Sequence, residues 1–598
     1  MLRLVRSLVV GLENATGLEE SQVQVLLCTL LSFPFGIVFK RLPDKNYTLK
    51  NVYIISVSAF YIYGVLNLYD GVIKLFVASL GSYFITRYVR TNFMPWINFT
   101  FLMLYLAYQH ILVQFVADDK AGKIDITGAL MVLVMKLSAF GWSIHDAKQP
   151  KDTLSEYAKS RAIRRHPNLL FYLGYVFFYA SLLTGPAFDY VDYERFIYST
   201  LFDDVPDSKR PGSKRKRRIP RSGFPSFMKL VQGLFWAMLL FILGNYVSVD
   251  YVLSGFLERN GFIYRIFYLW ILGFFYRLKY YAIWMMAEGA CIQCGIGYNG
   301  YDENIGQFKW NRVQNVDPVK FETGQNVHVC LESWNMNTNK WLKNYVYVRL
   351  ARKGKKPGFK STLVTFATSA FWHGTNPGYF LTFIMGAFLQ TVGKIFRKNL
   401  RPMFLENDGV TPKASKKFYD IACYFVTQLS FGFIVQPFIL LDFWKSIYVW
   451  RITYFYVQIG VLLTMFLFQG PLKNKVKSFC VSHSPSLNNK EKSERTKLND
   501  EESTKVRKAV ASLHKKEDAY PDAPSLGLPP IDVLEDMDEE DMDDLKELKN
   551  AWYSFKSRGG LRHDDVEAVR AVYKNFTDEI NDIYQTARQE WQNKAKQT

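Results

Sequence analysis

Residues 362–396 read TLVTFATSAFWHGTNPGYFLTFIMGAFLQTVGKIF. The stretch is almost wholly apolar, and it is too long for one simple crossing of a hydrocarbon core that ~20 helical residues span. Near its middle stand His373, Gly374 and Pro377. Glycine and proline interrupt a helix, so two membrane segments meeting at a break are expected here.

Further apolar runs occur on both sides, near residues 23–39, 51–68, 71–88, 94–116, 127–145, 168–184, 226–248, 262–287, 417–441 and 446–468. With 362–396 they predict an all-α polytopic membrane protein of about 11 membrane segments, some tilted, broken or re-entrant. From residue 473 onward no run approaches the ~18 residues of a span. The 598-residue chain is therefore an average of unlike parts: 49% hydrophobic and 16% aromatic, yet with a mean hydropathy of -0.05. The expected organisation is an N-terminal segment 1–21, a membrane domain 22–470 and a polar, charged tail 471–598, partly helical or disordered.

The net charge of +20 does not indicate nucleic acid. Its excess sits largely in short loops, densest at Lys209, Arg210, residues 214–218 and Arg221, as expected of cytosolic loops beside anionic headgroups. The charge rule also produces a conflict. Loops at 41–50, 87–90 and 148–165 fall on one side, yet the run at 209–221 follows a single further apolar segment. Either residues 168–184 do not span fully, or the chain after Gly185 returns through the membrane.

Arg3 and Arg6 flank a short apolar run, but Glu13, Glu19 and Glu20 follow with no convincing cleavage site. An interfacial helix is expected rather than a signal peptide. Lys594 and Lys596 have the spacing of a dilysine retrieval signal, which requires a cytosolic C-terminus and points to the endoplasmic reticulum membrane; the alternative is a chance pair in a Lys-rich tail. The six cysteines include Cys291 and Cys294, but no second CxxC completes a zinc site, so neither a metal nor a disulfide framework is expected. Gly295-Ile-Gly297-Tyr-Asn-Gly300 spells GxGxxG, yet an aromatic apolar segment precedes it and Tyr-Asp-Glu-Asn follows. A dinucleotide site needs a strand before and a helix after, so a tight turn is the better reading. HExxH, GxSxG and Walker A motifs do not occur, nor does a His with an Asp five positions on.

Two segments carry candidate chemistry. The first is Ser369-Ala-Phe-Trp372-His373-Gly-Thr-Asn-Pro-Gly-Tyr379. An ionisable group at membrane depth is costly, which makes His373 a functional candidate; the alternative is a core histidine bonded to a backbone carbonyl. The second segment is Glu332-Ser-Trp334-Asn335-Met-Asn337-Thr338-Asn339-Lys-Trp341-Leu-Lys-Asn344-Tyr345. On one helix, Trp334, Thr338, Trp341 and Tyr345 would share a face with Asn335 and Asn339 beside it. That face suits either a polar pocket or an interfacial aromatic belt.

Together these segments resemble the membrane-bound O-acyltransferase family, in its fungal lysophospholipid acyltransferase branch. The resemblance extends through Leu183-Thr-Gly185-Pro186-Ala-Phe-Asp189-Tyr190, Lys279-Tyr280-Tyr281-Ala-Ile-Trp284 with Glu288-Gly289, and Gly297-Tyr-Asn-Gly-Tyr-Asp302, covering roughly residues 20–470. It implies a helical bundle enclosing a catalytic tunnel, with His373 as catalytic residue and Asn335 as its partner. Asn337 competes for the latter role. It also implies that Trp334, Thr338, Trp341, Tyr345, Trp372, Glu288 and Tyr281 line the substrate path.

The expected reaction is acyl transfer from acyl-CoA to the free hydroxyl, expected at sn-2, of a lysophospholipid, with acyl-CoA as substrate and no cofactor. Neutral imidazole is a competent base near neutral pH. Arg352, Lys355 and Lys356, between the two motifs, are placed to receive the CoA phosphates, although positive-inside bias explains them too. Two alternatives stay open. The acceptor is a sterol or a protein, or the chain is a transporter or channel in which His373, Glu288 and Arg277 line a permeation path. No strong internal repeat favours the latter.

Overall fold

The expected break at the centre of residues 362–396 is present. In the computed structural model, which describes residues 3–116, 126–211, 217–350 and 359–484, one helix runs Phe359–His373 and a second Pro377–Asn399. Gly374 between them takes φ +151, and Asn376 is extended, as a residue before proline prefers. The start of the second helix is pressed against the backbone of 437–441. The Gly378 N–H donates to the Leu441 carbonyl at 3.1 Å, and a Cβ on Gly378 would lie 2.0 Å from the Pro437 carbonyl oxygen. Gly378→Ala is therefore expected to destabilise the protein by about 3 kcal/mol, since a backbone carbonyl cannot rotate away as a side chain can. A large drop in the detergent melting temperature checks this.

Apart from one antiparallel hairpin, Tyr301–Asp302 with Gln307–Phe308, the regular structure among the described residues is helical. Among the described residues six helices are long and apolar enough to cross a membrane: Glu20–Phe39, Met94–Phe115, Thr127–Asp146, Gly223–Leu243, Pro377–Asn399 and Lys416–Leu440. The pair Phe443–Ile452 and Tyr456–Gln469, bent by 76°, makes a seventh if counted as one span. Its corner is made by Tyr454 and Phe455, both at positive φ. The expected count of about 11 is not reached by length and composition alone.

Residues 168–184 depart most from a simple span. Their only α-helix is Leu169–Val176, eight residues or about 12 Å, followed by a single 3-10 turn at Tyr179–Ser181. One helix of that length does not cross a ~30 Å core. Tyr172, Tyr175, Phe178 and Tyr179 are instead buried among protein side chains, where irregular backbone is tolerated. Residues 168–184 are thus not a single helix long enough to span.

The longest helix among the described residues, Phe262–Cys294, packs along Gly223–Leu243, Glu20–Phe39 and Lys416–Ile434 and forms the axis of the bundle. It stops at Gly295, which adopts φ +110 as a left-handed C-terminal cap. The GxGxxG glycines accordingly form a turn into the hairpin and not a nucleotide loop. The N-terminal helix Arg3–Thr16 has Val5 and Val9 buried with Leu8 and Leu12 exposed. All six cysteines are unpaired. Arg352, Lys355, Lys356, most of the tail, and Lys594 with Lys596 lie outside the described residues.

Candidate active site

His373 is the last residue of its helix, and its Nδ1 lies 2.7 Å from the Ser369 carbonyl oxygen. A carbonyl can only accept, so Nδ1 carries the proton and Nε2 keeps its lone pair. The ring sits in an aromatic cage, with centroids at 4.6 Å from Trp372, 4.7 Å from Phe383 and 5.3 Å from Phe438. The motif turn is latched to neighbouring helices. Trp372 Nε1 donates to the Met131 carbonyl at 3.0 Å, His110 Nε2 donates to the Trp372 carbonyl at 3.3 Å, and Thr375 Oγ1 donates to Gln114 Oε1 at 2.6 Å.

The second segment is not one continuous helix. Helix Val327–Ser333 ends before Trp334, which is extended, and Met336–Leu342 begins after Asn335, which takes the left-handed conformation φ 46, ψ 53. This corrects the expected shared face. Trp334 turns away into a cluster with Tyr280, Tyr281, Trp284 and Phe321, at centroid distances of 5.1 to 5.7 Å. Thr338, Trp341 and Tyr345 do stay together, against the Thr127–Asp146 helix and its surroundings. Thr338 Oγ1 lies 3.2 Å from Met135 Sδ, Trp341 Nε1 donates to Ser138 Oγ at 2.8 Å, and Tyr345 OH donates to Asp189 Oδ1 at 3.1 Å.

The two motifs meet through tryptophans. The Trp341 and Trp372 rings are 5.9 Å apart, and Trp372 abuts His373. Thr338 Oγ1 donates to Asn335 Oδ1 at 2.8 Å, which orients the carboxamide and leaves its Nδ2 without a protein partner among the described residues. No hydrogen bond joins Asn335 to His373 among the described residues. Asn337, the competing assignment, has its Nδ2 engaged with Asn315 Oδ1 at 3.0 Å and the Gln314 carbonyl at 3.1 Å. Of the two amides, that of Asn335 is the one left available.

Tyr281 and Glu288 are also engaged within the protein. Tyr281 OH donates to Glu322 Oε1 at 2.6 Å, beside a two-pronged Arg277–Glu322 pair at 2.7 and 2.8 Å. Glu288 is buried, accepts the backbone N–H of Asn315 at 2.6 Å and pairs with Lys229 at 2.6 Å. Beneath Tyr345 lies a charge network that sequence reading did not single out. Arg161 bridges Asp189 at 3.3 Å and Asp192 at 2.8 Å, and Arg312 reaches Asp192 at 2.8 Å. Burial alone would raise the Asp192 carboxyl, but Arg161 and Arg312 outweigh it and hold it below its ordinary value.

Both motif segments lie inside residues 111–436, which match the model of the membrane-bound O-acyltransferase family. The chain belongs to that family. Its membrane-bound O-acyltransferase region covers both motifs, and the likeness to individual members runs further. The chain is 44% identical to a lysophospholipid acyltransferase of Saccharomyces cerevisiae, over 94% of this chain and 93% of that one. It is 43% identical to a lysophospholipid acyltransferase of Schizosaccharomyces pombe, over 77% of this chain and 88% of that one. It is 29% identical to the human membrane-bound glycerophospholipid O-acyltransferase 2, over 76% of this chain and 86% of that one. The protein is accordingly a multi-pass membrane O-acyltransferase.

Asn315 and Arg161 escaped the sequence reading because nothing in their own neighbourhoods marks them. Asp192 carried a weak signal, three residues after Asp189 in Asp189-Tyr-Val-Asp192, where two acids fall near one face of a short helix.

Proposed function

We propose that this O-acyltransferase moves a fatty acyl chain from acyl-CoA to the free hydroxyl of a lysophospholipid, at sn-2, with His373 as base and Asn335 as the group that holds the developing oxyanion. One observation carries the reading: the His373 Nδ1 proton is committed to Ser369 while Nε2 keeps its lone pair in an apolar aromatic cage. Nε2 takes the hydroxyl proton as that oxygen attacks the thioester carbonyl. The tetrahedral intermediate collapses, the carbon–sulfur bond breaks, and the leaving thiolate recovers the proton from the imidazolium. The Asn335 Nδ2, which has no acceptor among the described residues, donates to the oxyanion. No acyl-enzyme is required.

Trp372, Trp341, Thr338 and Tyr345 are proposed as one wall of the substrate path and Trp334 with Tyr281 as another; Arg352, Lys355 and Lys356 are proposed as partners of the CoA phosphates. Basic residues Lys473, Lys475 and Lys477 after the last apolar helix support a cytosolic tail. The acceptor is a lysolipid and not a sterol or protein, a choice supported by relatives named as lysophospholipid acyltransferases. The test is direct: purified protein with labelled acyl-CoA and lysophospholipid forms labelled phospholipid. Transport of either substrate across a vesicle membrane without product would sink the proposal in favour of a permeation path.

The tail is proposed to be dispensable for chemistry, since every candidate group precedes it. Helix Lys473–Ser482 buries Cys480 and so belongs with the membrane part. A chain ending at Ser484 is expected to keep turnover within about twofold in membranes, an effect of under 1 kcal/mol. Loss of activity in an inserted, stable truncation would contradict this.

A further inference from the structure

Asn335 adopts a left-handed conformation that asparagine tolerates but that its surroundings must hold. Asn339 Nδ2 donates to the Trp334 carbonyl at 2.8 Å on one side of the turn, and on the other side three contacts converge on Asn315. The Met336 N–H donates to the Asn315 carbonyl at 2.8 Å, and Asn337 donates to Asn315 Oδ1 through Nδ2 at 3.0 Å and through its backbone N–H at 3.3 Å. Asn315 is only 3% exposed, and it is fixed in turn from the axial helix. Glu288 Oε1 accepts the N–H of Asn315 at 2.6 Å and of Val316 at 3.3 Å, while Oε2 meets Lys229 Nζ at 2.6 Å. A carboxylate at 1% exposure is thus fully satisfied, by two backbone donors and one ammonium. Both of its oxygens face protein, which leaves neither for a substrate.

We infer that Asn315 and Glu288 are positioning residues for acyl transfer: Glu288 pins the backbone of Asn315, and Asn315 pins the left-handed turn that presents the Asn335 carboxamide. The inference rests on the proposed role of Asn335. It also accounts for the Asn-x-Asn spacing, in which Asn335 acts on substrate and Asn337 is the latch that ties the turn to Asn315. Removing the Asn315 side chain takes away two bonds to Asn337, yet leaves Asn337 Nδ2 with the Gln314 carbonyl at 3.1 Å, so the turn shifts rather than unfolds.

The test uses the purified full chain in lipid nanodiscs, with labelled oleoyl-CoA and lysophosphatidylcholine. Asn315→Ala and Glu288→Ala are expected to lower kcat by about 10- to 100-fold, the scale of a displacement near 1 Å, with the donor KM within about twofold. Glu288→Gln keeps an amide oxygen for the Asn315 N–H, and most of kcat is expected to return. The decisive measurement is a double-mutant cycle. In an Asn335→Gly background, Asn315→Ala is expected to cost less than about twofold, because the group it positions is gone. A merely structural residue would lower protein yield and leave the two effects multiplicative. Unchanged kcat in Asn315→Ala, or multiplicative losses in the double variant, overturns the inference. If the alanine variant does not accumulate, Asn315→Ser is read in the same cycle, being polar but too short to hold Asn337. Near-normal turnover in Asn335→Gly alone would instead remove the role of Asn335 on which the inference stands.

Discussion

His373→Gln protein is expected to insert, accumulate normally and bind acyl-CoA, yet to form phospholipid about 10²- to 10⁴-fold more slowly, the usual contribution of a positioned base. The prediction separates chemistry from packing. A glutamine amide at the end of the same helix can donate to the Ser369 carbonyl as the imidazole does, at 2.7 Å in the native protein, so the local fold is kept. It cannot accept a proton near neutral pH. His373→Ala also loses turnover but is less informative, because it empties the cage formed by Trp372, Phe383 and Phe438 and is expected to lower protein level. If His373 were only a core histidine satisfied by a carbonyl, the Gln variant would retain most activity. Near-normal turnover by well-expressed His373→Gln protein, measured as phospholipid formed, would exclude the mechanism.

What the sequence revealed, and what it concealed, follows from the range of the interactions involved. The break between His373 and Pro377 was legible because proline and glycine punctuate a helix through their own backbone chemistry. Most apolar helices were legible from composition. Residues 168–184 were misleading, since an apolar run has the same composition whether it crosses lipid or lies folded among aromatic side chains. The face drawn through Trp334, Thr338, Trp341 and Tyr345 failed at one point for a related reason. A helical wheel assumes continuity, and the left-handed Asn335 breaks it with no glycine or proline as a warning. Part of what holds that kink comes from Asn315, itself bonded to Glu288, 20 and 47 positions earlier, where no local pattern shows it.

Asn335→Gly is expected to fold at least as well as the native protein and to transfer acyl groups about 10²- to 10³-fold more slowly, the loss typical of one oxyanion donor. Glycine is the informative substitution because the native backbone is at φ 46, ψ 53. Alanine would be strained there, and its loss of activity would mix backbone displacement with loss of the amide. Glycine enters that region freely and deletes only the carboxamide, together with its bond from Thr338 at 2.8 Å. Thr338 Oγ1 still has Met135 Sδ within 3.2 Å, so no buried hydroxyl is stranded. Asn337→Ala should behave in the opposite way. Its Nδ2 bonds to Asn315 and Gln314 make it structural, so its first effect is on melting temperature, with slower turnover following from the displaced turn. Kinetics and thermal melts of the two variants side by side therefore assign the roles within the Asn-x-Asn pair. The assignment reverses if Asn335→Gly turns over normally while stable Asn337→Ala protein does not.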